Sequence, residues 1–470
     1  MSDSFSSLSV LPAGVAEAAD VIAKLDHCFV VGFGRMSERE VSAVSALPRL
    51  LEKTPLASRV KEACDALLRS EFVERHFVSL ACARAALQGA MTDALATQVS
   101  GVLGRTAACD ELDGSPTEQP GHHGVFRESS RNFLMEMALS GFAQLEPDAL
   151  YPFYATLDKI QEEPALIRLA AVLSGFLSEL LLELPIPSGK SIPTYRWVDL
   201  WTRAMLLAVK APQTPKIDAV SGEFFPIGSD LHHHRNLFSV CVHGILKQGT
   251  AHRYVRTSVS AYKVDTVIGV EMWRLLEGTY DKLLKALRDG TSLKLSNIKL
   301  LASGDLLWDE GSAAAGSSYA PFELASALLA VGKPLQRSSL GGVDRHPAQL
   351  AEPIHLTGFK VVKQDAIKSK KPSQSELLEE KALEVLGLKL PLGGARVSDS
   401  SGMTIDRIEK AQELIGLLRF DRGRWAIQPL GIKAGTKAEL SGTPPQSLKA
   451  KDDTVAVLRE RASKLLRKKS

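Results

Sequence analysis

The chain has 470 residues, 45% of them hydrophobic and 24% charged, with a formal net charge of +3. These proportions fit an ordinary globular protein and exclude a collagen-like, disulfide-stapled or wholly disordered one. That length predicts two or three domains, and so small a charge gives no whole-molecule attraction to nucleic acid or an anionic surface, so any such preference must be local.

Cys28, Cys64, Cys82, Cys109 and Cys241 are scattered without C-x-x-C spacing, which predicts unpaired thiols in a reducing compartment. The opening Met1-Ser2-Asp3-Ser4-Phe5 has neither the basic start nor the apolar core of a secretory signal. The apolar stretch from Leu166 to Leu184 is interrupted by Arg168, Glu179 and Glu183 and reads as a buried helix instead of a membrane span. The expectation is a cytoplasmic protein with no transmembrane segment.

In chain order, a helix over 12–31 ends at Gly32-Phe33-Gly34, and Ser37 with Glu40 forms a capping box for the next helix. Further amphipathic helices are predicted at Leu56–Leu68, Glu71–Leu87 and Met91–Leu103. After a polar Gly/Pro-rich loop at 109–124 they continue at Val125–Phe142, Pro147–Ile160, Pro164–Leu184 and Tyr195–Val209, several with proline just inside the start. No fixed repeat period is legible.

From Phe224 the apolar period shortens from about 3.6 to 2. Leu237–Leu246 carries apolar residues on both faces and reads as a central strand; Lys247-Gln248-Gly249-Thr250 is a hairpin turn, and Ala251–Ser260 a second strand with one basic, wet face. Helical spacing returns over 265–288, a third strand follows at Leu293–Leu301, and 311–320 reads as a mobile low-complexity link. A short helix at Phe322–Val331 and a strand at Ile354–Val362 complete this part. Beyond Lys368, helices are predicted at Gln374–Leu386 and Thr404–Leu418, then a short strand at Arg424–Ile432 and a last helix at Asp452–Lys469.

The fold class read from this pattern is α+β and predominantly helical. An all-α N-terminal bundle or solenoid occupies 1–215, and a small mixed α/β module with an antiparallel hairpin at 236–260 occupies 216–366. A loosely packed helical and linker region spans 367–451, and a basic amphipathic tail helix spans 452–470.

No complete catalytic or nucleotide-binding motif is present. Gly189-Lys190-Ser191 resembles the end of a phosphate-binding loop, but position 184 is Leu where that pattern needs glycine. In an extended segment, His232 and His234 of the triple histidine share a face with Asp230. With Asp305 and Asp309 they make a candidate metal set for a metal-dependent hydrolase or nuclease. Solvated imidazoles are the ordinary explanation, as a satisfied core histidine is for His243. Arg253, Tyr254 and Arg256 on the second strand are candidate contacts for a phosphate-rich partner. Leu458, Arg459, Leu465 and Lys468 on the tail helix are candidates for docking to a partner or to nucleic acid. The leading expectation is a non-enzymatic interaction or scaffold component of a larger cytoplasmic assembly, bound to another protein or to its own copy and needing no cofactor. The metal-dependent enzyme and a nucleic-acid binder are the alternatives.

Overall fold

The computed structural model describes residues 5–105, 124–186, 192–209, 217–233, 237–264, 266–335, 346–364, 374–398, 401–421 and 423–445. The protein is α+β, with a helical N-terminal region followed by sheets. His234 and the tail candidates Leu458, Arg459, Leu465 and Lys468 lie outside the described residues.

The helical region contains α1 (Val15–Val31), α2 (Glu38–Leu50), α3 (Ala57–Leu68), α4 (Glu74–Leu103), α5 (Gly124–Ser140), α6 (Pro147–Gln161), α7 (Ile167–Glu183) and α8 (Thr194–Val209). The capping box at Ser37 and Glu40 forms as predicted. The two helices expected over 71–103 are one, because Gly89 sits in open space on a continuous helix, where glycine costs only about 1 kcal/mol. Among the described residues one segment, Pro164–Glu183, is long and apolar enough to cross a membrane; its Leu169, Leu173, Phe176, Leu177 and Leu180 are buried in the helical core.

One local pattern recurs in these helices, after α1 and after α5. In each place the helix ends at a glycine of positive φ (Gly32 at 97°, Gly141 at 82°) followed by a one-turn 3₁₀ helix led by phenylalanine, Phe33–Arg35 and Phe142–Gln144. Phe33 meets Phe77 of α4 edge-on at 5.4 Å, and Phe142 meets Trp197 of α8 edge-on at 5.7 Å. The two turns meet each other: a Cβ on Gly32 would lie 2.6 Å from the Leu139 carbonyl oxygen, and one on Gly141 would lie 2.5 Å from the Gly32 nitrogen. Only glycine lets the two backbones approach so closely.

The first sheet is a closed barrel. β1 (Ile217–His233), β2 (Leu237–Gln248) and β3 (Ala251–Tyr262) form an antiparallel meander. The Lys247–Thr250 turn is as predicted, with Gly249 at φ 60°. β4 (Thr291–Leu301) pairs back with the first half of β1, and β5 (Asp305–Leu307) runs parallel to β3 and antiparallel to β4. The helical spacing of 265–288 resolves into a 3₁₀ segment, Gly269–Leu275, and α9 (Asp281–Asp289), whose Leu283, Leu284 and Leu287 join Trp273 in closing the barrel core. Residues 311–320, expected to be a mobile link, instead contain β6 (Ala313–Ser318), hydrogen-bonded to β4. Small side chains suit that close pairing: a Cβ on Gly316 would fall 2.1 Å from the Ser292 hydroxyl.

The described residues between 374 and 445 hold strands where the sequence predicted loosely packed helices over 367–451. After α10 (Pro321–Leu328), β7 (Ala351–Thr357) kinks at Gly358 into β8 (Lys360–Lys363). Then come α11 (Gln374–Glu379), β9 (Lys381–Val385), β10 (Leu388–Pro391), α12 (Ile405–Glu409), β11 (Glu413–Asp421), β12 (Arg424–Ala434) and β13 (Lys437–Leu440). β7 pairs with β11 and β8 with β9, β9 pairs with β10, and Leu392 bridges in parallel to Ile427 of β12, which pairs with β11. The order of pairing follows that of the first barrel, but in two sheets, β10-β9-β8 and β13-β12-β11-β7, joined through the bend at Gly358 and by that single parallel bridge; these two sheets are the second barrel. The helix predicted over Thr404–Leu418 forms at Ile405–Glu409 and gives way to β11 beyond it, because Leu414 and Leu418 face the core while Ile415 and Leu417 face the first barrel. Burial on opposite sides requires the two-residue period of a strand.

The parts are welded. Arg105, at the end of the helical region, donates to Glu352 at 3.1 Å and to the Pro353 carbonyl at 2.6 Å, all buried. Between the barrels, Ile227 and Ile245 of the first pack on Ile415, Leu417 and Leu430 of the second, with Phe322 and Ala325 of α10 alongside.

Candidate functional site

The outer face of β1–β3 carries most of the residues singled out in the sequence. Alternation sends Val240 and Val242 into the barrel and Cys241 and His243 outward, opposite Asp230 of β1 and beside Tyr254, Arg256 and Ser258 of β3. The second barrel covers half of this face. Asp230, 4% exposed, accepts from His243 Nε2 at 3.0 Å, from Arg419 at 3.1 Å and from the Gln428 amide. Arg419 also donates to Gln428, and His243 Nδ1 lies 2.7 Å from the Tyr254 hydroxyl.

Burial pushes the Asp230 carboxyl up, but the His243 cation, its hydrogen bond and Arg419 outweigh that and hold it at about 2. Burial pushes His243 down, yet the acidic groups of Tyr254, Cys241 and Asp230 keep it well above the usual histidine range. The half-buried Cys241 thiol is raised by burial and lowered more by His243 and by hydrogen bonds from His243 and Ser258. Cys241, His243 and Asp230 thus form a connected set, in which the imidazole also meets Asp230 Oδ2 at 3.0 Å and the Tyr254 hydroxyl at 2.7 Å and so ties the thiol to the joint between the barrels.

The other candidates are dispersed. His232 is exposed on the same face as Asp230. Asp305 pairs with Arg256 through Nε at 2.5 Å and Nη2 at 3.2 Å. Asp309 accepts from the Gly311 amide at 3.1 Å and the Ser312 hydroxyl at 2.6 Å, starting a 3₁₀ turn. Asp230 and Asp305 lie on strands that do not pair with each other, each bonded to its own arginine, whereas ligands of one metal converge near 2 Å from it. Among the described residues no group of three or more His, Cys, Asp and Glu side chains is arranged to hold a metal ion. Arg253 reaches the Ala302 carbonyl at 3.0 Å. Of the predicted phosphate contacts, Arg253, Tyr254 and Arg256 thus all bond within the chain.

A further site, which the sequence pattern did not reveal, lies on the second barrel. A cavity of about 420 Å³ lies against β10 and the β11–β12 turn, lined by Leu388, Lys389, Leu390, Pro391, Gly423, Arg424 and Trp425, with Gln364 from the segment after β8. Leu8, Ser9 and Leu11 line it as well. Lys389 and Arg424 are exposed while Leu8, Leu390 and Trp425 are buried, so two cations border an apolar, partly aromatic floor. Trp425 is fixed by Phe420, edge-on at 5.5 Å, and by its indole N–H donating to Gln98 at 3.1 Å. The signal available in the sequence was Asp421-Arg422-Gly423-Arg424 between two apolar runs, a hairpin pattern carrying a charged tip.

Comparison of the chain with protein-family models, with curated proteins and with solved structures gives no match.

Proposed function

We propose that this protein is a non-enzymatic binding component whose ligand is single-stranded nucleic acid, held at the cavity of the second barrel. The observation that carries the reading is the position and lining of that cavity. It lies on the third strand and the loop between the last two strands of an OB-type barrel, a region where such barrels take oligonucleotides. Lys389 and Arg424 border it, and Trp425 forms part of its floor. Cations for phosphates beside an apolar floor supply part of what sequence-tolerant binding of single strands uses, with Trp425, 3% exposed, backing that floor. The argument from connectivity is one of fold analogy; the charge and the aromatic floor belong to this chain.

Fluorescence anisotropy with a labelled oligothymidylate, across a salt series, tests it. Binding is expected to weaken linearly on a log–log salt plot, and Lys389→Glu or Arg424→Glu to reduce affinity by about tenfold with a shallower slope. Absence of binding at low salt, or affinity indifferent to both substitutions, would refute the reading.

A second reading, docking of a protein partner, is favoured by the exposed apolar run Tyr262, Val264, Ile268 and Val270, of which Tyr262 is 84% and Ile268 71% exposed. The finer architecture we infer is a closed helical bundle, because α8 packs against α1, α4, α5 and α7 together. The basic tail over 452–470 is taken as a further docking element.

A further inference from the structure

We propose that Cys241 is a thiol–disulfide exchange site that takes one half of a low-molecular-weight disulfide, with the His243–Asp230 pair as its activating partner. The placement comes from the strand pairing. On the outer face of the first barrel Cys241 lies opposite Asp230 of β1 and opposite Ser258 of β3, with His243 two residues along its own strand on the same side. The second barrel covers one flank of this row: Asp230 and His243 are 4% and 1% exposed, whereas His232, Ser258 and Ser260 are exposed and Cys241 is partly so. The thiol thus stands at a boundary, with a buried ion pair on one side and solvent on the other. Reactive cysteines need both, a cation to hold the thiolate and access for the reagent.

The step balances with that one co-reactant. The Cys241 thiol gives up its proton and the thiolate attacks one sulfur of R–S–S–R. The Cys241–S–S–R bond forms as the old S–S bond breaks, and the other half leaves as R–S⁻, which takes up the proton released. Burial raises the Cys241 thiol, but the His243 charge and the hydrogen bonds from His243 and Ser258 outweigh it. The titratable and charged groups around the sulfur are Asp230 and His232 from β1, His243 on β2, Tyr254 and Arg256 from β3, and Arg419 of β11 behind Asp230. The other described cysteines are drawn the opposite way. Cys28 and Cys64 are pushed up to about 12 by burial and by the Glu40 and Asp65 carboxylates, and Cys82 is raised by burial.

The test is reaction of the full chain with oxidised glutathione, read peptide by peptide by mass spectrometry across a pH series. Cys109, outside the described residues, is replaced by Cys109→Ser, which leaves Cys28, Cys64, Cys82 and Cys241. Cys241 is expected to gain the glutathionyl group at least about tenfold faster than the other three, at a rate that levels off below the ordinary thiol value of about 8.5. His243→Gln, which keeps a hydrogen-bond donor and removes the charge, is expected to move that plateau up by about one pH unit or more. Labelling of Cys241 no faster than that of Cys28, Cys64 or Cys82, or a rate still climbing through about pH 8.5, overturns the inference. So does an unchanged profile in folded His243→Gln; should that variant not fold, the profile with His243 in place decides alone. None of these outcomes depends on what the second barrel binds.

Discussion

Replacing Asp230 with Asn tests the joint between the barrels. The carboxylate stands between His243, Arg419 and Gln428 at 4% exposure. Its pKa falls from 3.8 to about 2 on folding, which by linkage amounts to about 2 kcal/mol of stability near neutral pH. The substitution also leaves the Arg419 guanidinium and the His243 imidazolium buried without their anion, and breaking such pairs costs about 3–5 kcal/mol. A loss of about 3 kcal/mol is therefore expected, read as a fall in the urea midpoint at pH 5.5. The pH profile carries a second signature. A depressed carboxylate contributes stability above 3.8 that is lost as pH falls toward about 2. A raised histidine contributes stability in full below 6.5 that is lost as pH climbs through its folded value. The pair thus stabilises the native protein most between 3.8 and 6.5, and Asp230→Asn should flatten both limbs. A loss under about 1 kcal/mol, or an unaltered acid limb, would show that this network is not what holds the barrels.

Gly228→Ala should destabilise by about 3 kcal/mol, from overpacking and backbone strain together, because its φ is 137° and a Cβ would lie 2.4 Å from the Leu430 carbonyl oxygen of the other barrel; a thermal midpoint within error of the parent refutes the close approach. Gly32→Ala and Gly141→Ala, at equivalent turns, should cost similar amounts, with the double variant losing clearly less than the two together because each glycine faces the other's backbone; strict additivity would count against the shared joint. The metal reading is checked by dialysis against zinc and elemental analysis: since Asp230 and Asp305 are bound to Arg419 and Arg256, Asp230→Asn and Asp305→Asn should leave metal content unchanged, and a stoichiometric loss in either would restore the metal centre.

Where local periodicity governs, the sequence was readable. The alternation through Leu237–Leu246 and Ala251–Ser260 separated the two sides of the first hairpin, Val240 and Val242 on one and Cys241 and His243 on the other, though not which side faces the barrel core, because the meander closes within a few residues of itself. Barrel closure was not readable, since it depends on β1 reaching β4 and β3 reaching β5 across 30 or more intervening residues. The second barrel was mistaken for helix because Leu414, Ile415, Leu417 and Leu418 are apolar on both sides of the strand, which erases the alternation. The shared Gly-Phe turn at Gly32-Phe33 and Gly141-Phe142 escaped notice because it is two residues long and the helices around it have different sequences. The cavity combines residues from four distant stretches of chain, so no single motif announced it.

The covered face of the first barrel has a practical corollary for anyone dissecting this molecule. A fragment ending after β6 would expose Ile227 and Ile245 to water and deprive Asp230 of the guanidinium and amide that neutralise it, turning an internal seam into a sticky patch. The two barrels should therefore be inherited, expressed and assayed as a pair, and any C-terminal truncation belongs beyond Ser441, whose backbone and hydroxyl still grip Ser229.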